Sequence, residues 1–180
     1  GAFVAPGFVD AHVHTTATGL ALTGLDVSGA ASRQECLDQV RRYCATTGDE
    51  LIWGTGWDES RWHSQNGMFL QAPHPQPVPL SRADLDAAAG GRLVYLARVD
   101  AHSAVASTAL LTAVGIDPSA QVLTGDEHHR VRAYAIAHMS SRQRTQAQVA
   151  ALDAAARRGI VAVHECAGPD ISGRTDLAEL

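Results

Sequence analysis

At Arg157-Arg158-Gly159-Ile160 a helical pattern runs into a strand pattern across one glycine, with no loop between them. Gly159 can take the left-handed conformation that ends a helix, and the aliphatic run Ile160-Val161-Ala162-Val163 can only pack as a strand against other elements. A helix–glycine–strand unit of this kind builds α/β sheets, so an α/β fold class is expected. Other strand candidates are Gly7 to His14, Leu51 to Trp57 and Leu93 to Val99, each short and aliphatic.

Helix starts are marked by a Ser or Thr followed three residues later by Glu, Gln or Asp, which can reach back to exposed backbone N–H groups. Ser32 with Glu35 opens a helix through Leu37, Val40 and Cys44 that closes at Gly48, and Ser81 with Asp84 opens a shorter one ending at Gly90-Gly91. Thr145 with Gln148 opens a third, through Val149, Leu152 and Ala156. A fourth is expected from about Ala104 to Val114, stopping at Gly115. Prolines at 73, 75, 77 and 79 forbid a ladder and predict an extended surface loop.

The 180 residues, 46% hydrophobic and 18% charged, can bury a sizeable core and are too apolar for disorder. No apolar run reaches the 18 or so residues of a membrane span, and a net charge of -5 without a basic stripe argues against nucleic acid or an anionic membrane as partner. All 14 basic residues are Arg, so a Lys nucleophile, a P-loop and a carbamylated-Lys metal bridge are excluded within this stretch. The three cysteines, Cys36, Cys44 and Cys166, show no CxxC spacing, and two of them, eight residues apart on one helix, are about 12 Å apart along its axis, beyond disulfide reach. A reducing, cytoplasmic setting is expected. Gly1-Ala2-Phe3-Val4 offers no basic n-region, so no signal peptide is read there.

Strand alternation in Phe8-Val9-Asp10-Ala11-His12-Val13-His14 puts Asp10, His12 and His14 on one face, with both faces of the strand expected to be buried. Two neutral imidazoles two residues apart converge on a point above that face, as a Zn²⁺-like ion requires of adjacent ligands, and Asp10 is placed to orient a ring. The plainer alternatives are a pair of hydrogen-bonded histidines at a strand end, or solvent-facing residues of no consequence.

The run from Val4 to His14, with its Pro6-Gly7 turn before the strand, resembles the signature of the amidohydrolase superfamily. Gly54-Thr55-Gly56-Trp57-Asp58, Leu85-Asp86, Val94 to Ser103 and Gly159 to Glu165 look like the amidohydrolase family 3 branch, which includes N-substituted formamide deformylases, and the likeness spans essentially all 180 residues. It implies a partial (β/α)8 metal-dependent hydrolase barrel. Residues 1–19 and 141–180 would hold the first two strands, and 20–140 a large α+β insertion subdomain between them. The resemblance implies that His12 and His14 are ligands of a divalent metal, with zinc the expected ion and one or two ions in the complete enzyme. The other ligands and the catalytic acid/base would come from later strands, beyond residue 180. A barrel of this type takes about 200 to over 400 residues.

The implied activity is hydrolysis of a non-peptide amide or cyclic amide C–N bond in a small molecule by metal-activated water, with these 180 residues inactive by themselves. Trp57, Arg98, Asp100, His102, His164 and Glu165 are the candidate substrate contacts, with Glu165 also a candidate ligand; for Arg98 and Asp100 a structural ion pair is the alternative, and for Trp57 core packing. His128 and His129 are read as surface or insertion residues, His63, His74 and His138 carry no spacing signal, and Cys166 is expected to be a small buried hydrophobe. A metal-dependent phosphoesterase and a non-catalytic α/β module with a structural His pair are the competing readings. Two strands cannot close a sheet, so further chain or a homo-oligomer is expected to cover the edges.

Overall fold

The computed structural model describes residues 3–62, 79–119, 121–168 and 172–180. In chain order the elements are β1 (Phe8–Val13), α1 (Thr15–Thr23), β2 (Leu25–Asp26), α2 (Arg33–Thr46), β3 (Leu51–Trp57), a 3-10 turn (Glu59–Arg61), α3 (Arg82–Ala89), β4 (Leu93–Arg98), β5 (Ala104–Ala106), α4 (Thr108–Val114), α5 (Gly125–Ala137), α6 (Ser141–Ala156), β6 (Ile160–Glu165) and α7 (Arg174–Glu179). They divide into two compact units, Gly1–Gly24 with Ile136–Leu180, and Leu25–Ala135. No helix among the described residues is long and apolar enough to cross a membrane. The proline run lies, apart from its end at Pro79, outside the described residues, as do His63 and His74.

In the first unit β1 and β6 pair in parallel, Asp10 opposite Val163 and Val13 opposite Glu165, with the register slipping between Asp10 and Val13. This ladder is not enclosed on both faces, contrary to the sequence expectation: Phe8 is 66% and Val161 74% exposed. Helices α1 and α6 pack closely enough that a Cβ on Gly19 would lie 1.8 Å from the carbonyl oxygen of Ala147.

That contact explains a correction to α6. The helix starts at Ser140, whose side chain accepts from Gln143 N, and not at Thr145. Val149 and Leu152, expected on the buried side, are exposed, while Ala147, Gln148 and Ala151 are buried. A helix pressed against Gly19 needs a small residue at the crossing, and this outweighs the larger apolar stripe. Gln148 donates to Thr16 Oγ1 at 3.1 Å and to the Asp176 carbonyl at 2.8 Å. Arg144 meets Asp176 beneath α7.

In the second unit the sheet order is β2-β3-β4-β5, with β2, β3 and β4 parallel and β5 antiparallel to β4. Ile52, Val94 and Leu96 face the buried residues of α2 and α3, among them Cys36, Val40 and Leu85. Trp53 and Tyr95, cross-strand partners, stack on the other side with ring centroids 4.5 Å apart, and Tyr95 meets His128 of α5. Both faces are covered, which is why β3 and β4 read as nearly unbroken apolar runs. Ser32 accepts from Glu35 N at 3.1 Å, and Ser81 and Asp84 form a reciprocal capping box. Gly90 takes the left-handed cap at φ 60°, whereas α2 ends on Thr47 in extended geometry, one residue before Gly48.

The expected helix from Ala104 is shorter. Ala104–Ala106 pairs with β4, and Ser107 starts α4 by accepting from Leu110 N. Helix α1, strand β2 and helix α7 carry none of the start signals above, whereas α5 begins just after Thr124, three residues before Glu127, the pattern that marks the other helix starts. Thr15–Thr23 lacks a side-chain cap and its apolar residues have little helical periodicity, so its helicity comes from packing on α6.

Candidate metal centre

The end of β1 turns into α1 without a loop: His14 is the residue before the first helical turn, with φ -114° and ψ 85°. The bulged register between Asp10 and Val13 changes the strand alternation there. Asp10 Oδ1 accepts from the backbone N–H of His12 at 3.1 Å, so Asp10 braces the irregular strand end, and among the described residues it makes no hydrogen bond to either imidazole ring.

The rings of His12 and His14 stand edge to face, with centroids 5.1 Å apart and planes at 84°. Two imidazoles on a tetrahedral ion, each with a metal–nitrogen distance of about 2.1 Å, place their ring centres roughly 5 Å apart. His12 is exposed, and the His14 side chain is 28% exposed. The His14 Nδ1 atom is enclosed and has no hydrogen-bond partner among the described residues. The pair therefore fits two corners of a divalent-cation site. No group of three or more His, Cys, Asp or Glu that could hold an ion occurs among the described residues.

Glu165 reaches this corner through the β1–β6 ladder, which sets it opposite Val13. Its Oε2 accepts from Thr15 N at 2.7 Å, its Oε1 accepts from Ser172 Oγ at 3.0 Å, and Oε1 stands 4.0 Å from His14 Nδ1. Burial by itself would raise the Glu165 carboxyl, but hydrogen bonding by Thr15 and Ser172 and the nearby His14 outweigh it and hold the group below the usual carboxylate range. Each Glu165 oxygen accepts one hydrogen bond from its own chain and keeps a lone pair, so Thr15 and Ser172 fix the direction in which the carboxylate points. Thr15 and Ser172 were missed in the sequence. The one available clue was that the first amide of a helix beginning right after His14 needs an acceptor.

His164 lies on the exposed face of β6, and strand alternation directs it away from the side that carries Glu165, so the two do not form one site. Cys166 is half-buried, with Sγ 3.8 Å from the His164 carbonyl oxygen.

Trp57, Arg98, Asp100 and His102 belong to the second unit. Trp57 is 1% exposed and donates from Nε1 to the Leu96 carbonyl at 3.2 Å; it is a core residue with no face for a substrate. Strand β4 ends at Arg98, not Val99, and a turn through Ala101 at φ 58° follows, so Arg98, Asp100 and His102 do not share a strand face. Arg98 pairs with Asp100 at 2.6 Å and Glu59 at 3.1 Å and covers the Trp57 ring at 5.7 Å. Asp100 also accepts from His102 N at 2.9 Å. That amide, with Arg98, keeps the Asp100 carboxyl below its usual range. The structural alternative describes this cluster: a guanidinium tying a turn to the 3-10 segment.

Of His128 and His129, read as surface or insertion residues, only His129 lies at the surface. His128 is 2% exposed, and its Nε2 lies 2.7 Å from the Tyr95 hydroxyl. Adjacent residues diverge on a helix as argued, but one of the two faces the core.

The whole chain, residues 1–180, matches the amidohydrolase family. It belongs to that family. It is 30% identical over 132 residues to the putative amidohydrolase YtcJ of Bacillus subtilis (strain 168), a match covering 70% of this chain and 23% of that protein. Among solved structures, an uncharacterized metal-dependent hydrolase from Pyrococcus horikoshii OT3 superposes with a TM-score of 0.65 at 22% identity, over 88% of this chain and 30% of that one. A second from Pyrococcus furiosus gives 0.64 at 22% identity, over 88% and 31%. These likenesses show a mixed α/β fold shared with metal-dependent hydrolases. The matched chain covers 23% of YtcJ and 30% and 31% of the two solved hydrolases, less than a third of each.

Proposed function

We propose that this amidohydrolase-family chain supplies the first part of a metal-dependent hydrolase acting on a carbon–nitrogen bond of a small amide or cyclic amide. The observation that carries the reading is the edge-to-face pair His12 and His14, 5.1 Å apart at the end of a parallel strand. In this reading β1 and β6 are two strands of a (β/α)8 barrel, with residues 20–140 inserted between them. The names of the relatives, an amidohydrolase and two metal-dependent hydrolases, support it.

His12 and His14 would hold a divalent ion, with zinc suited to an all-imidazole pair. A bound ion of this kind acidifies water and polarises a carbonyl. The chain's own contribution is to aim two ring nitrogens from backbone that is fixed on both sides. The Asp10 side chain braces the His12 amide, and the first turn of α1 anchors the residue after His14. A general acid/base is not provided by these residues, so turnover requires further strands.

The test is metal content of the purified chain after zinc loading and desalting, set beside His12→Ala and His14→Ala. Bound zinc in the parent, lost from both variants, is expected. Equal zinc in all three proteins would defeat the assignment. In a chain carrying the remaining strands, turnover of N-formyl amines or cyclic ureides with none of phosphate monoesters is expected; the reverse selectivity would favour a phosphoesterase.

A further inference from the structure

We propose that Glu165 is a positioning residue for His14: its carboxylate keeps the imidazole proton on Nδ1 and so leaves Nε2 as the lone-pair donor to the divalent cation. The inference rests on the metal reading above and deepens it.

Three observations carry it. His14 Nδ1 is enclosed with no hydrogen-bond partner among the described residues, and an enclosed ring nitrogen of this kind needs one. The carboxylate oxygen Glu165 Oε1 stands 4.0 Å away, beyond hydrogen-bond distance until the His14 ring turns toward it, as side chains of a site do when it is loaded. Glu165 itself cannot swing aside, because Thr15 N holds one oxygen at 2.7 Å and Ser172 Oγ the other at 3.0 Å. The Val13–Glu165 register fixes the spacing through the backbone of both strands. An acceptor facing Nδ1 selects the tautomer protonated there, and the proton is then absent from Nε2. Histidines that bind metals generally rely on an outer partner of this type, and losing it typically costs about 10–100-fold in metal affinity.

Glu165→Gln separates this role from a structural one. Thr15 N–H requires an acceptor, so the amide oxygen takes the Oε2 place and the amide nitrogen takes the Oε1 place, where it can donate to Ser172 Oγ. The fold contacts survive, but an N–H donor now faces His14 Nδ1 and favours the proton on Nε2, the atom the ion needs.

The experiment is ¹⁵N NMR of the imidazoles in the metal-free chain, together with zinc affinity by competition against a chromophoric chelator. The Nδ1–H tautomer of His14 is expected in the parent and the Nε2–H tautomer in Glu165→Gln, with zinc affinity lower by about 10–100-fold. Ser172→Ala, which leaves the carboxylate in place, is expected to keep the Nδ1–H tautomer. An unchanged tautomer and unchanged zinc affinity in Glu165→Gln would overturn the inference while leaving the metal site standing. A parent chain with the Nδ1–H tautomer that binds no zinc would instead overturn the metal reading on which the role depends.

Discussion

The hydroxyl of Tyr95 and Nε2 of His128 lie 2.7 Å apart in a stacked pair, 1% and 2% exposed, where β4 meets α5. A neutral imidazole with its proton on Nδ1 accepts the phenol's hydrogen bond at Nε2, and the charged form is opposed on every side but one. Burial is the main cause that lowers the His128 value, the charges of Arg132, His129 and His102 add to it, and only Asp100 acts the other way.

Stability should therefore fall as the medium is acidified through the histidine range. The unfolded chain takes up a proton on His128 near pH 6.5, the folded one only at lower pH, so protonation favours unfolding. The contribution is complete above about pH 6.5 and is lost as the pH drops toward the folded value. A second loss is expected below about pH 4, where Glu165, Asp84 and Asp100, all held low in the fold, take up protons. Thermal melts between about pH 2.5 and 8 check both losses, and His128→Gln should flatten the upper part of the profile. Tyr95→Phe should cost about 1–3 kcal/mol by leaving the His128 nitrogen unpaired.

Arg144 Nε and Asp176 Oδ1 meet at 2.7 Å with side chains only 3% and 1% exposed, and Arg144 also donates to the Ile136 carbonyl at 2.9 Å. Removing one partner leaves a buried charge, so Arg144→Met or Asp176→Leu alone should each destabilise by about 3–5 kcal/mol. The double variant Arg144→Met with Asp176→Leu should lose much less than the two single losses added together. Denaturant titration of the four proteins measures the coupling.

Gly19→Ala should destabilise strongly, because the new methyl would sit 1.8 Å from the Ala147 carbonyl oxygen, a backbone atom that cannot turn away. A loss of about 1–3 kcal/mol or more is expected. Gly48→Ala, where nothing lies within 4 Å, should be neutral or raise stability by about 0.4–1 kcal/mol. Paired melting curves decide.

Thiol labelling should be sharply uneven. Cys36 is buried, and burial pushes its thiol up to about 12; burial also raises Cys44. Cys166 is half-buried and reachable. A disulfide reagent at pH 8 should modify one thiol quickly, absent in Cys166→Ser, and the other two only as the chain unfolds.

Local chemistry was legible in the amino-acid sequence because it depends on neighbours a few residues apart. Leu51–Trp57 and Ile160–Glu165 announce their strands by aliphatic content, and Ser32 and Ser81 announce helix starts by the acid three residues on. The His12–His14 spacing made a convergent pair of imidazoles expected before any coordinates. Tertiary structure decided what those signals meet. It turned Ala147 and Gln148 inward because Gly19 lies across from them, and it drew Ala104–Ala106 into the sheet because β4 offered an open edge. It also gave Glu165 to Thr15 and Ser172, 150 and 7 residues away, and buried Trp57 and His128. A side chain's periodicity says which faces an element has, but only long-range packing says which face another element will cover.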